Sequence, residues 1–160
     1  MKKLVLFTAV FLLVGAGLFA QTAGRVPVTM PGTVSDFYKK GTKITVTAPN
    51  ILSVTGRAQD LSMAILRDLP YAGQKNLIVK VISLSGKFPW DKGKMFGIRI
   101  NNKDIVPEGR VVSDKMIVGP HVADEELKFK LSDAGEISGP ITINLFLYAG
   151  ATYELGFWYE

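Results

Sequence analysis

The chain has no cysteine, a single histidine and two tryptophans. Each shortage removes a class of function. Without cysteine there are no disulfides, no thiolate metal site and no lipidated N-terminal cysteine. A metal centre would rest on His121 and carboxylates alone, and a histidine-based triad would have one candidate base. No serine sits in a nucleophile elbow, and the glycines are scattered as turn residues instead of forming a phosphate-cradling loop. With nucleophile, metal and cofactor patterns all missing, a non-catalytic protein is expected. His121, between Gly119-Pro120 and Val122-Ala123, reads as a solvated or capping residue. Asp114, Asp124, Glu125, Glu126, Asp133 and Glu136 are the oxygen ligands calcium takes, yet no spacing among them matches a calcium loop. No cofactor is expected, structural calcium being the one metal these residues would suit.

After residue 20 there is also no apolar run long enough to cross a bilayer, so no transmembrane helix is expected in the mature chain. The first residues are a different matter. Lys2 and Lys3, an apolar stretch from Leu4 to Phe19, and small Ala20 before Gln21-Thr22 have the order of a secretory signal peptide. Residues 1–20 are read as that peptide, cut after Ala20, and residues 21–160 as one exported domain, periplasmic or secreted. The stretch is short for a spanning helix, which needs about 20 residues, and Gly15 and Gly17 interrupt it. The formal charge of +5 becomes +3 when Lys2 and Lys3 leave, because no acidic residue precedes Gln21. These basic residues are dispersed along the chain. That argues against a nucleic-acid partner and fits an acidic envelope polymer better.

From Val26 onward, short β-branched and aromatic stretches are cut by glycine, proline, asparagine or aspartate at the spacing of a sandwich or barrel. The fold class is all-β: one antiparallel β-sandwich, jelly-roll-like, with about eight to ten short strands. Candidate strands are 26–29, 43–48, 52–55, 61–66, 77–84, 95–100, 111–118, 127–131, 141–148 and 152–159. Residues 21–31, punctuated by Gly24, Pro27 and Pro31, are a candidate loose lead-in. Residues 57–69 also fit one face of a helix stopped by Pro70, but β neighbours on both sides favour a strand, with Leu61, Met63 and Ile65 pointing inward. Pairing around Asn102-Lys103 would place Ile100 opposite Ile105, with Phe96, Ile98 and Ile100 on one face. In 126–131, Leu127, Phe129 and Leu131 should face in and Glu126, Lys128 and Lys130 out.

The C-terminal pattern suggests a hairpin through Ala149-Gly150-Ala151. It would align Leu147 with Tyr153, Leu145 with Leu155, Ile143 with Phe157 and Ile141 with Tyr159 as a core face. Its other face would gather Phe146, Tyr148 and Trp158 among Asn144 and Glu154, with Gly156 giving close access to the sheet. Flat aromatics interleaved with polar groups are how sugar-binding modules stack pyranose rings and bond their hydroxyls. The competing expectation is that a loop, or residues 57–69, covers these side chains as a minor second core. Trp90, on a basic loop with Phe88, Lys87, Lys92 and Lys94, is a further candidate contact, or else a plug for the open end of the sandwich.

The function expected is therefore carbohydrate or envelope-polymer binding through Phe146, Tyr148, Trp158, Asn144, Glu154 and Trp90. The alternative is a structural subunit of an envelope assembly or appendage, partnered by an envelope protein. A small outer-membrane β-barrel fits less well, because the strands look short and residues 77–84 are apolar on more than one face.

Overall fold

The computed structural model describes residues 24–31, 34–36, 42–56, 62–86, 94–111, 118–148 and 150–160. They form β1 (Val26–Pro27), β2 (Val34–Asp36), β3 (Lys43–Ala48), β4 (Ile51–Thr55), β5 (Ser62–Leu69), β6 (Asn76–Gly86), β7 (Phe96–Ile100), β8 (Lys103–Ile105), β9 (Glu126–Lys130), β10 (Ile141–Leu147) and β11 (Ala151–Tyr159). A 3-10 turn, Leu131–Ala134, follows β9. No helix among the described residues is long and apolar enough to cross a membrane.

The strands make two antiparallel sheets. The larger runs β3-β4-β11-β6-β9, with β1 added beside β11, and the smaller runs β2-β5-β10-β7-β8. Without β1 to β3, the order is β4-β11-β6-β9 against β5-β10-β7-β8, in which every connection except β7 to β8 changes sheet. That is the strand order of a jelly roll. Among the described residues both sheets keep free edges, the arrangement of a sandwich.

Period-two alternation decides what each sheet buries. Ile141, Ile143, Leu145 and Leu147 of β10 and Tyr153, Leu155, Phe157 and Tyr159 of β11 all lie in one core, joined by Phe96, Ile98 and Ile100 of β7 and Leu127 and Phe129 of β9. Each such buried side chain contributes roughly 1.5–3 kcal/mol, which is how a domain without disulfides is held together. The segment read as a loose lead-in supplies β1 and buries Val28 and Met30 in the same core.

Several registers differ from expectation, each for a local reason. β10 and β11 do not form a hairpin: β10 pairs with β5 and β7, whereas β11 pairs with β4, β6 and β1. Both strands turn the expected side chains inward, but from opposite sheets.

The strand reading of 62–69 holds, yet Ser62, Ala64 and Leu66 lie opposite inward Leu147, Leu145 and Ile143. Met63 and Ile65 therefore face outward, opposite to expectation; Leu61 lies outside the described residues. A register shift between Ile141 and Ile143, with Asp68 at φ 56, returns Leu69 to the core.

Between β7 and β8 the turn is Asn101-Asn102, with φ 47 and 66. Two left-handed residues make the tight turn that a right-twisted hairpin prefers, and asparagine tolerates that region. Ile100 consequently pairs with Lys103, and Ile105 with Ile98.

The apolar excess of β6 has a similar origin. Val81 pairs with Leu155 but Ser83 with Glu154, so Ile82 is the extra residue of a bulge. Residues 112–117, within one expected strand, lie outside the described residues; Val118 bridges to Phe96.

Candidate functional site: two outer faces and an edge cleft

Because β10 and β11 belong to different sheets, the aromatic residues expected to share one patch are divided between opposite faces of the sandwich. The two sheets of a sandwich stand roughly 10 Å apart with the core between them. Asn144 and Phe146 project from the smaller sheet, Glu154 and Trp158 from the larger, and Tyr148 follows the end of β10. Trp90 lies outside the described residues.

On the smaller sheet the aromatic is covered. Phe146 is 4% exposed and packs with Met63 and Ile65 as a separate small core, with Asn144 also buried beside it. The Arg99 guanidinium lies 5.3 Å from the Phe146 ring centroid while its Nε donates to Asp104 Oδ1 at 2.8 Å. This is the minor second core weighed above, built by β5 residues, and it withdraws Phe146 and Asn144 from an open ligand surface. Tyr148 is half-buried.

The larger sheet presents a different face. Trp158 is half-buried, and its indole lies over Gly156: a Cβ there would sit 2.4 Å from Cη2 and 2.6 Å from Cζ3 of the indole, and 3.3 Å from Ile82 Cδ1. Gly156 thus seats the tryptophan ring instead of opening the sheet to a ligand, as had been expected. Pairing across the sheet places Glu154 between Ser53 and Ser83, and Thr152 between Thr55 and Ser85. Ser83 Oγ donates to Glu154 Oε2 at 3.4 Å, and the Thr55 and Thr152 hydroxyls are 3.0 Å apart. One flat indole thus shares a face with a row of hydroxyls and a carboxylate, about 13 Å from Trp158 to Glu154 along the strand at a rise of ~3.3 Å per residue.

A cleft of about 580 Å³ opens where β6 begins and β9 ends, lined by Tyr71, Lys75, Lys128, Lys130, Ser132 and Gly135 among others. Lys128 Nζ donates to Glu160 Oε2 at 2.6 Å, which raises the lysine pKa and lowers that of Glu160. No sequence pattern pointed to this cleft, because its walls come from three separated segments.

No family model matches the chain, and no curated protein matches it. Among solved structures, it is similar to a chain of the glycosylation-associated protein (Gap123) complex from Streptococcus agalactiae, at 14% identity and a TM-score of 0.37. That similarity covers 83% of this chain and 24% of the other, so this chain spans about a quarter of its length. A likeness at this level identifies neither family nor ligand.

His121 was expected to be solvated or capping, and the structure shows that it is not solvated. It is 1% exposed, stacked on Phe96 with centroids 4.2 Å apart, and its Nδ1 lies 2.8 Å from Glu125 Oε2, while Glu125 also pairs with Arg110. Burial first and the Arg110 charge second push its pKa down to about 4. The Val118 and Phe96 carbonyls pull it partly back, although Nε2 has no hydrogen-bond partner among the described residues.

Of the carboxylates considered for calcium, Asp124 pairs with Lys80, Glu125 with His121 and Arg110, and Glu126 with Arg25, while Asp114 lies outside the described residues. Among the described residues no three of His, Asp or Glu are grouped to hold a metal ion.

Proposed function

We propose that this is an exported, non-catalytic β-sandwich module that binds a carbohydrate or cell-envelope polymer on the outer face of its larger sheet. The observation that supports this most is the half-exposed Trp158 indole, seated on Gly156, sharing a face with Glu154, Ser83, Thr152 and Thr55. An indole fixed flat against a sheet offers an apolar surface to the C–H face of a sugar, and the neighbouring hydroxyls and carboxylate suit its hydroxyl groups. Binding would proceed by stacking and hydrogen bonding, with no bond made or broken. The signal-peptide-like pattern of residues 1–20 supports a periplasmic or secreted location for this activity.

The test is depletion of the purified protein by peptidoglycan and a panel of insoluble polysaccharides, read together with tryptophan fluorescence. Saturable binding accompanied by an emission shift, both lost in Trp158→Ala with an intact fold, is the expected result. Binding that survives Trp158→Ala unchanged refutes this face as the site.

A second reading, a subunit of an envelope assembly, is favoured by β3. Among the described residues this strand pairs on one side only, with β4, and carries Val46 exposed at the edge of the larger sheet. An unpaired edge can accept a strand from another chain. Size-exclusion chromatography with light scattering separates the readings, since an assembly subunit of this kind associates through that edge and a Val46→Lys substitution disperses it.

A further inference from the structure

We infer that the cleft at the β6–β9 end is an anion subsite that takes a carboxylate or phosphate borne on a sugar polymer. The saccharide part rests on the glycan-binding reading; the anionic part stands on the cleft's own groups.

Lys75, Lys128 and Lys130 line the cleft, and Glu108 is the one acid among its lining residues. Lys128 is engaged by Glu160 at 2.6 Å and Lys130 by Glu108 at 3.4 Å. Lys75 makes no ion pair among the described residues. A fourth ammonium, Lys103 Nζ, reaches the rim, 2.6 Å from where a Cβ on Gly135 would stand. Four ammonium groups against the side-chain carboxylates of Glu108 and Glu160 leave a local excess of positive charge. Ammonium groups are point charges without the fixed fork of arginine, so they accept carboxylate and phosphate alike.

The cleft is also held in shape. The Lys75 backbone N–H donates to the Glu160 carbonyl at 3.1 Å, and its carbonyl accepts from the Leu131 N–H at 2.9 Å, tying the loop after β5 to β11 and to the 3-10 turn. Tyr71 forms an aromatic wall, its hydroxyl donating to the Gln74 carbonyl at 3.1 Å and its ring edge-on to Tyr159 at 6.5 Å. A volume of about 580 Å³ falls in the range of small-molecule sites, roughly 300–1,000 Å³. Register connects it to the sheet face: Trp158 pairs with Ile78 and Ile78 with Lys128. Indole and ammonium thus stand two strands apart on one surface, about 10 Å. A chain stacked on Trp158 would place a neighbouring acidic unit at the cleft.

The experiment titrates the purified protein with a galacturonic acid hexamer, with maltohexaose and with inorganic phosphate, at low and high salt, using wild type, Lys75→Glu and Trp158→Ala. Lys75 is exposed, so its substitution leaves the fold intact. The expected result is hexauronate binding that weakens with salt and falls roughly tenfold or more in Lys75→Glu, the scale of losing a charge-assisted contact and gaining a repulsive one. Hexauronate binding indifferent to Lys75→Glu overturns the subsite. So does inorganic phosphate binding as tightly as the hexauronate, which would mark a free-anion site. Maltohexaose bound through Trp158, with no effect of Lys75, sinks the cleft and leaves the sheet-face reading standing. Lys75-dependent hexauronate binding at full strength in Trp158→Ala, with no neutral glycan bound, supports the cleft and removes the sheet face.

Discussion

Lowering the pH should destabilise this protein through His121. The neutral ring is well accommodated: Nδ1–H donates to Glu125, whose charge is already matched by Arg110, and the ring stacks on Phe96. A proton on Nε2 would place a second cation beside Arg110 in a buried site, a cost that the nearby Val118 and Phe96 backbone offsets only in part. Burial and Arg110 therefore hold the folded pKa at about 4, against 6.5 for the ordinary side chain. Between those values the unfolded chain takes up a proton that the folded protein declines. Stability is thus full above pH 6.5, erodes as pH falls through this window, and levels off below about 4. The 2.5-unit difference corresponds to about 3 kcal/mol at about 1.4 kcal/mol per unit, a large share of the roughly 5–15 kcal/mol typical of a domain. Urea unfolding at several pH values, with His121→Gln as the non-titrating control, measures it, because carboxylate contributions cancel in the difference. Wild type should lose about 3 kcal/mol more than the variant on going from neutral pH to pH 4. Parallel profiles would refute the reasoning. A His121 titration midpoint in the folded protein at or above 6.5 would do so more directly, showing that Glu125 outweighs burial and reversing the sign of the pH dependence.

Three further outcomes test the faces and the turn. Gly156→Ala should push the indole off its seat, because the new Cβ would lie 2.4 Å from it; in a Trp90→Phe background the expected readout is red-shifted emission at a cost of about 1–2 kcal/mol, and unchanged emission would contradict the packing. Phe146→Ala should cost about 3 kcal/mol in thermal unfolding, because the ring is buried with Met63 and Ile65, and a loss near zero would mean the ring is open to solvent. Asn101→Ala should cost about 2 kcal/mol, since it removes a residue suited to φ 47 and the side-chain oxygen that accepts from the Thr142 N–H at 2.9 Å; Asn101→Gly should recover only the backbone part.

What the residues made legible, and what they hid, follows from what a period-two pattern contains. Alternation states which side of a strand is dry, so Ile141 to Leu147 and Tyr153 to Tyr159 were assigned correctly to the core. It does not state which strand lies alongside. The link at residues 148–150 serves equally as a hairpin loop and as a crossing between sheets, and the jelly roll uses the second. That choice divided the expected aromatic face in two. β5 misled for a related reason: its apolar residues occupy both faces, Ala64 and Leu66 toward the main core and Met63 and Ile65 toward Phe146, so alternation had nothing to discriminate. His121 looked idle because Arg110 and Glu125 meet it only after folding.

Charge followed the same logic. Lysines dispersed evenly along a chain look like a solubility device when counted in sequence. Strand geometry redistributes them: Lys128 and Lys130, two apart on β9, necessarily share an outer face, and antiparallel pairing with β6 brings Asn76 opposite Lys130 and so places Lys75 at the same end. The hairpin through Asn101-Asn102 then carries Lys103 to Gly135, whose φ of 87 and missing side chain leave room for the ammonium. Folding thus produces a basic density that no sequence window shows, and Lys128 and Lys130 within it lie on the same sheet as Trp158. With a modest net charge overall, such local concentration is what the proposed hold on an acidic polymer would depend on, because screening confines each ammonium's influence to about 8–10 Å.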